Sequence, residues 1–121
     1  MPDSPKKIII VDDDADILEA LQAMLEDEGY SVVTTDRGEE VVKLSHLEHP
    51  DLILLDMLLS GNDGRKIVRQ LRSQESTRNI PILMLSAHPG AEKDAQASEV
   101  NGFLAKPFEM EDLLAKVAQY V

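Results

Sequence analysis

Short runs of consecutive apolar residues alternate along the chain with longer stretches in which apolar residues recur every three or four positions. The short runs predict strands buried on both faces of a sheet, and the longer stretches predict amphipathic helices packed against it. The strands are predicted over residues 7–11, 30–35, 52–55, 80–85 and 103–105. Strands that alternate with helices, without repeats or a linker, are typical of a parallel α/β sheet.

Each predicted helix carries an apolar stripe or local start and stop residues. The stripe from Ile17 to Leu25 predicts the first helix, and Gly29 is its expected C-cap. Asp36 and Glu39 have the spacing of a capping box and predict the start of the second helix. The other helices are predicted over residues 64–74, over 91–100, where the apolar stripe is thin and the helix is expected to be short, and over the last turns of the chain.

These elements predict a doubly wound, flavodoxin-like α/β fold with helices on both faces of a five-stranded parallel sheet in the order 2-1-3-4-5. A length of 121 residues fits a single domain. We expect its core over residues 6–121 and a flexible N-terminus over residues 1–5. Sheets of this kind bind ligands beyond the carboxyl ends of the strands, here between the first and third strands.

The residues that directly follow the predicted strands carry the candidate chemistry. They are Asp12, Asp13 and Asp14 after the first strand, Asp56 after the third, Ser86 after the fourth and Lys106 after the fifth. One of the three consecutive aspartates could cap the first helix, although capping does not account for all three. Lys106, taken alone, could be a loop residue before Pro107. Together, these positions predict carboxylates, a hydroxyl and an ammonium at one edge of the sheet.

Converging carboxylates repel one another unless a cation compensates their charge. Asp12, Asp13 and Asp56 bring three negative charges, which Lys106 and a divalent cation would balance. Mg²⁺ prefers oxygen ligands and is commonly held by one or two carboxylates, so Mg²⁺, or Mn²⁺ in its place, is the expected cofactor.

An aspartate in such a site can act as the nucleophile of phosphoryl transfer and form an aspartyl phosphate. Asp56 is the best candidate because it is the only polar residue between Leu52 and Leu59. The metal, the Lys106 ammonium and the Ser86 hydroxyl would each hold one phosphoryl oxygen.

Composition excludes several other classes of protein. Asp and Glu number 23 against 12 Lys and Arg, for a net charge of −11, whereas nucleic-acid binders are normally basic. The chain has no Cys, which excludes disulfides and thiolate zinc sites and permits a reducing cytoplasm. Its apolar runs are too short to span or target a membrane. The three histidines have no metal-ligand spacing, and we expect them at the surface.

Four motifs resemble those of the receiver domains of bacterial response regulators, which act in two-component phosphorelay systems. They are Ile8-Ile-Ile-Val-Asp-Asp-Asp14, Leu52-Ile-Leu-Leu-Asp56, Leu83-Met-Leu-Ser-Ala87 and Phe103-Leu-Ala-Lys-Pro-Phe108. The resemblance covers nearly the whole chain. It implies a cytoplasmic switch whose Asp56 accepts a phosphoryl group from a histidine kinase or a histidine phosphotransfer protein, and whose altered surface is read by a downstream protein or effector domain.

The resemblance also assigns roles to single residues. It implies that Asp13, Asp56 and the backbone carbonyl of Leu58 are metal ligands, while Asp12 acts through water. Ser86 and Lys106 would grip the phosphoryl group, Phe103 would be the switch aromatic, and the bond between Lys106 and Pro107 would be cis. Leu58 and His88 occupy positions that tune dephosphorylation.

Phosphorylation of Asp56 is expected to change the surface of the protein. An acyl phosphate on Asp56 adds charge and acceptors, so it should draw Ser86 toward it and allow Phe103 to turn inward. The surface of the fourth helix, fifth strand and fifth helix would then change. Two other classes remain open, a Mg²⁺-dependent phosphatase with an aspartate nucleophile and an adaptor that is not phosphorylated.

Overall fold

Five parallel strands form one sheet in a computed structural model that describes residues 5–59, 62–87, 90, 93 and 99–121, with backbone only at 58 and 62. The strands along the chain are β1 (Lys7–Val11), β2 (Ser31–Thr35), β3 (Leu52–Asp56), β4 (Leu58–Leu59), β5 (Asn62–Asp63), β6 (Ile82–Ser86) and β7 (Gly102–Ala105). The helices are α1 (Ala15–Asp27), α2 (Val41–Glu48), α3 (Gly64–Arg72) and α4 (Met110–Tyr120).

The sheet order is β2-β1-β3-β6-β7. Counted over these five strands alone, that is the predicted order 2-1-3-4-5, which is therefore confirmed. β2 lies at one edge, as its less apolar sequence predicts, and β7 lies at the other. The crossovers carry helices to both faces, as parallel connections require.

Alternate residues of the central strands fill two separate cores. Ile8 and Ile10 pack with the inner faces of α1 and α4, while Ile9 and Val11 pack with α2 and α3. Because successive side chains of a strand point to opposite faces, a solid apolar run is what a sheet covered on both sides requires.

The predicted start of the second helix is wrong. A 3-10 turn over Gly38–Glu40 precedes α2, and its N-cap is Arg37, which makes no side-chain capping bond. The hydroxyl of Thr35 instead accepts a hydrogen bond from the amide of Arg37 at 3.1 Å. This local bond begins the turn one residue after Asp36, so Asp36 is not the cap.

Two further boundaries differ from the predictions. The third helix ends at Arg72, and the hydroxyl of Thr77 donates a hydrogen bond to the carbonyl of Leu71 at 2.6 Å near this end. The fourth sheet strand begins at Ile82, and the carbonyl of Ile80 before it accepts a hydrogen bond from the Arg72 side chain at 2.7 Å. A short antiparallel ladder between β4 and β5 was not predicted. The helix expected over 91–100 falls largely outside the described residues, as do positions 1–4 of the expected N-terminal segment.

Candidate functional site

The predicted site positions lie along one edge of the sheet. Asp12 and Lys106 directly follow β1 and β7, while Asp56 and Ser86 are the last residues of β3 and β6. These four strands are parallel, so their carboxyl ends share an edge. Asp12, Asp56 and Ser86 are buried, with exposed fractions of 1%, 7% and 3%.

The Lys106 ammonium lies between two of the carboxylates. Its Nζ donates a hydrogen bond to Oδ2 of Asp12 at 2.7 Å and lies 3.5 Å from Oδ2 of Asp56. The side chain of Asp12 is only 2% exposed in this pair. A buried carboxylate needs such a partner, since an unpaired charge there is costly.

The second oxygen of Asp12 is also held. Oδ1 accepts a hydrogen bond from the backbone amide of Asp14 at 3.0 Å. The carboxylate of Asp14 in turn accepts the amides of Asp16 and Ile17 at the start of α1, so Asp14 is the N-cap of that helix. Asp12 and Asp13 are therefore left for the site.

Carboxylate oxygens of Asp12, Asp13 and Asp56 lie within 4.8 Å of one another. Asp13 is exposed, whereas the other two are buried, so the cluster opens toward solvent on one side. A donor set made only of carboxylate oxygens fits a hard divalent cation such as Mg²⁺.

The pKa of Lys106 reflects this environment. Burial alone lowers the pKa of the ammonium, because water no longer solvates its charge. The hydrogen bond and charge of Asp12, and then the charge of Asp56, act in the opposite direction and outweigh burial, so the pKa lies above its ordinary value. The site therefore holds a lysine that is positively charged at neutral pH.

The other predicted site residues whose side chains the structure describes lie on β6, on β7 or just after β7. The carbonyl of Ser86 accepts the amide of Lys106 at 2.9 Å, and the bond between Lys106 and Pro107 is cis. Phe103 lies on β7, half buried against the core on the α2 and α3 side. His88 lies outside the described residues.

The backbone after Asp56 is held by its neighbours, a feature that sequence reasoning missed. Met57 donates its amide to the carbonyl of Leu85 at 2.9 Å and accepts the amide of Gly64 at 2.7 Å. Leu58 pairs with Asp63 in the β4–β5 ladder. The sequence sign of this contact is Gly64 directly after Asp63, the N-cap of α3.

An apolar groove of about 330 Å³ adjoins the lysine side of the site. It lies between α1 and the segment that follows β7 and is lined by Ile17, Ala20, Leu21, Lys106, Pro107 and Phe108.

A family profile described as the response regulator receiver domain matches residues 8–118. The chain belongs to this family. Receiver domains are generally signalling switches of two-component systems rather than classical enzymes, and the fold and the acidic edge described above agree with that class.

Among curated relatives, the chain is 40% identical over 119 residues to the alkaline phosphatase synthesis transcriptional regulatory protein PhoP of Bacillus subtilis (strain 168). That match covers 93% of this chain and 47% of the relative, so this chain spans about half the length of that protein.

Solved structures of receiver domains are also similar. A putative response regulator from Chloroflexus aurantiacus J-10-fl matches with a TM-score of 0.90 at 34% identity, over 96% of this chain and 97% of that one. The receiver domain of the sensor histidine kinase PA1611 from Pseudomonas aeruginosa PAO1 matches with a TM-score of 0.86 at 29% identity, over 96% and 97%. In that structure a magnesium ion is coordinated in the active site cleft.

Among the residues that the structure describes, no helix is long and apolar enough to cross a membrane.

Proposed function

We propose that this receiver domain is a phosphorylation-dependent switch that accepts a phosphoryl group on Asp56 from a histidine kinase or a histidine phosphotransfer protein in the cytoplasm. The observation that carries the proposal is the position of the Lys106 ammonium between Asp12 and Asp56, beside the cluster of three carboxylates. Residues 6–121 would act as one receiver unit, which itself binds neither nucleic acid nor a membrane.

Asp56 is the proposed nucleophile. One carboxylate oxygen forms a bond to phosphorus while the bond between phosphorus and the donor imidazole nitrogen breaks, and the electron pair of that bond returns to the imidazole. Lys106 holds a positive charge 3.5 Å from Asp56 Oδ2, close enough to stabilise the negative charge on an oxygen of the transferred phosphoryl group. The hydroxyl of Ser86 would donate to another phosphoryl oxygen.

The proposed metal ligands are Asp13, Asp56 and the backbone carbonyl of Leu58, with Asp12 acting through water. When bound there, Mg²⁺ or Mn²⁺ would offset the repulsion among the carboxylates and stabilise charge on the phosphoryl oxygens. The oxygen-only donor set and the mutual approach of the three carboxylates support this assignment.

The phosphodonor is proposed to dock on the apolar groove beside Lys106. The groove brings the apolar side chains of Ile17, Leu21 and Phe108 next to the residue that approaches Asp56. A partner helix seated there could bury its apolar residues and present a phosphohistidine to the open side of the carboxylate cluster.

The response is proposed to travel through β6 and β7. The acyl phosphate would draw the Ser86 side chain toward it, and Phe103 would turn further inward on the neighbouring strand. The surface formed by the segment after β6, by β7 and by α4 would change shape, and a downstream protein or effector domain would bind it. Leu58 and His88 are proposed to set the lifetime of the phosphorylated state.

Incubation with acetyl phosphate and Mg²⁺, followed by intact mass spectrometry, tests the proposal. We expect one phosphoryl group on the wild type, none on Asp56→Asn, and an unchanged result for Asp27→Asn, which alters an exposed carboxylate at the last residue of α1, the end of that helix away from the site. Repeated turnover of an added phosphoester would instead favour a Mg²⁺-dependent phosphatase, and the absence of any reaction would favour an adaptor.

A further inference from the structure

The first residue of α3 lies unusually close to the backbone that carries Asp56. A Cβ atom added to Gly64 would lie 2.8 Å from the carbonyl oxygen of Asp56 and 2.9 Å from both Cα and the carbonyl oxygen of Met57. Real Cβ atoms do not make contacts this short. The φ angle of Gly64 is not positive, so the backbone conformation alone would accept an L side chain.

The close approach fixes the backbone around Asp56 from the side of α3. The Gly64 amide donates to the Met57 carbonyl at 2.7 Å, and the Met57 amide donates to Leu85 of β6 at 2.9 Å. The Met57 peptide groups are therefore held between the central sheet and the N-terminus of α3. Leu58 follows directly and pairs with Asp63, the N-cap of α3.

We propose that Gly64 is a positioning residue for the metal and phosphoryl site. Its missing side chain allows α3 to hold residues 56–58 where the Asp56 carboxylate and the Leu58 carbonyl can act together. This inference rests on the proposed function, because it concerns two of the proposed metal ligands.

The size of the overlap sets the expected effect. A carbon atom and a carbonyl oxygen in contact lie at about 3.3 Å or more, so an alanine would force the two backbones apart by about 0.5 Å. Sites of this kind require their groups to be held within about 0.5 Å of the productive geometry. The displaced atoms are backbone, which cannot rotate out of the way as a side chain can.

Gly102 provides a matched control. A Cβ there would lie 2.5 Å from the hydroxyl of Tyr120, a closer overlap than at Gly64, but with a side chain. Gly102 begins β7 and lies at the opposite end of that strand from Lys106. Gly102→Ala should therefore reduce stability without affecting the site.

Calorimetric titration of Mg²⁺ into the wild type, Gly64→Ala and Gly102→Ala tests the inference, together with thermal unfolding in EDTA. We expect Gly64→Ala to raise the dissociation constant of Mg²⁺ about 10- to 100-fold, as loss of outer support for a metal site does. Gly102→Ala should keep the wild-type constant while lowering the melting temperature. Equal Mg²⁺ affinity in wild type and Gly64→Ala would overturn the inference and leave the proposed function standing.

Hydrogen exchange of the wild type tests the inference even if Gly64→Ala does not fold. Saturation with Mg²⁺ should slow exchange of the Gly64 amide, which is bonded to Met57, more than exchange of the Asn101 amide, which is bonded to Ile82 at the far end of β6. No change at Gly64 would count against the inference. A wild type that binds no Mg²⁺ would overturn the proposed function and this inference with it.

Discussion

Lys106 and Asp12 are 94 positions apart in the chain, yet Nζ of the lysine lies 2.7 Å from Oδ2 of the aspartate. The pair joins the segment after β1 to the segment after β7, across the carboxyl end of β3, which carries Asp56. Because Asp12 is almost completely buried, the ammonium both compensates its charge and holds a cation beside Asp56. One residue thus contributes to stability and to the proposed chemistry.

Lys106→Met should destabilise the metal-free protein. It leaves the Asp12 carboxylate buried without its cation, and breaking a buried pair in this way costs about 3–5 kcal/mol. Urea unfolding in EDTA measures the loss. Lys7→Met is a suitable control, because the pair of Lys7 and Glu48 is about one-third exposed and such pairs contribute about 0–1 kcal/mol. Equal losses in the two variants would contradict the structural role of Lys106.

The raised pKa of Lys106 predicts a stability difference that depends on alkaline pH. A group whose pKa is raised in the folded state contributes its full stabilisation below the unfolded pKa, which is about 10.4 for lysine. That contribution is lost as the pH rises through the higher, folded pKa. The free energy of unfolding of wild type minus that of Lys106→Met should therefore be constant near neutrality and shrink above about pH 10.4. A difference that stays constant through this range would show that the charge of Lys106 has no such role.

Local patterns predicted the strands well because a strand that is buried on both faces needs a continuous run of apolar residues, and such a run is visible in the sequence. The solid apolar run that ends at Val11 predicts a strand over residues 7–11 buried on both faces, and β1 spans Lys7–Val11. The start of α2 was predicted wrongly, because the spacing of Asp36 and Glu39 does not reveal that the Thr35 hydroxyl takes the nearby amide.

The sequence predicted which residues meet at the candidate site, but not the distances between them. The order of the strands brings Asp12, Asp56 and Lys106 to one edge, so their chain positions were sufficient to place them together. The contact of Gly64 with the carbonyl of Asp56 depends on how closely α3 packs against the end of β3, which no local pattern encodes.

Asp13→Asn should raise the melting temperature of the metal-free protein. It removes one of three carboxylates that lie within 4.8 Å of one another, while Lys106 remains to pair with Asp12. The same change should reduce the increase in melting temperature that Mg²⁺ produces, since that increase follows metal affinity. Scanning calorimetry with EDTA and with Mg²⁺ measures both effects, and Glu19→Gln on the exposed face of α1 is the control. A lower melting temperature in EDTA would argue against a crowded acidic site.

Arg72→Lys should reduce stability without weakening Mg²⁺ binding. The guanidinium of Arg72 donates hydrogen bonds to the carbonyls of Arg78, Ile80 and Glu99 and to the side chain of Asn101. A lysine cannot satisfy all four acceptors. These bonds are exposed or partly buried, so each one lost should cost about 0.5–1.5 kcal/mol. Urea unfolding measures the loss, with exposed Arg69→Lys on the same helix as the control. Unchanged stability would indicate that these bonds contribute nothing, and weaker Mg²⁺ binding would show coupling to the site.

Leu58→Asn should shorten the lifetime of the phosphorylated state. Leucine has no group that can hydrogen-bond and orient an attacking water, whereas asparagine has both a donor and an acceptor. The decay of the acyl phosphate after removal of the phosphodonor, followed by intact mass at constant Mg²⁺, gives the rate. Leu58→Met keeps the residue apolar and should decay like the wild type. An unchanged decay rate in Leu58→Asn would remove Leu58 from the residues proposed to tune this step.

The position of the phosphoryl group tests the central proposal most directly. After reaction with acetyl phosphate and Mg²⁺, borohydride reduces an aspartyl phosphate to homoserine, which peptide mass spectrometry locates in the sequence. We predict homoserine at position 56 alone, and none when either acetyl phosphate or Mg²⁺ is left out. Homoserine at Asp12 or Asp13, or an unmodified Asp56 under the complete reaction, would contradict the account.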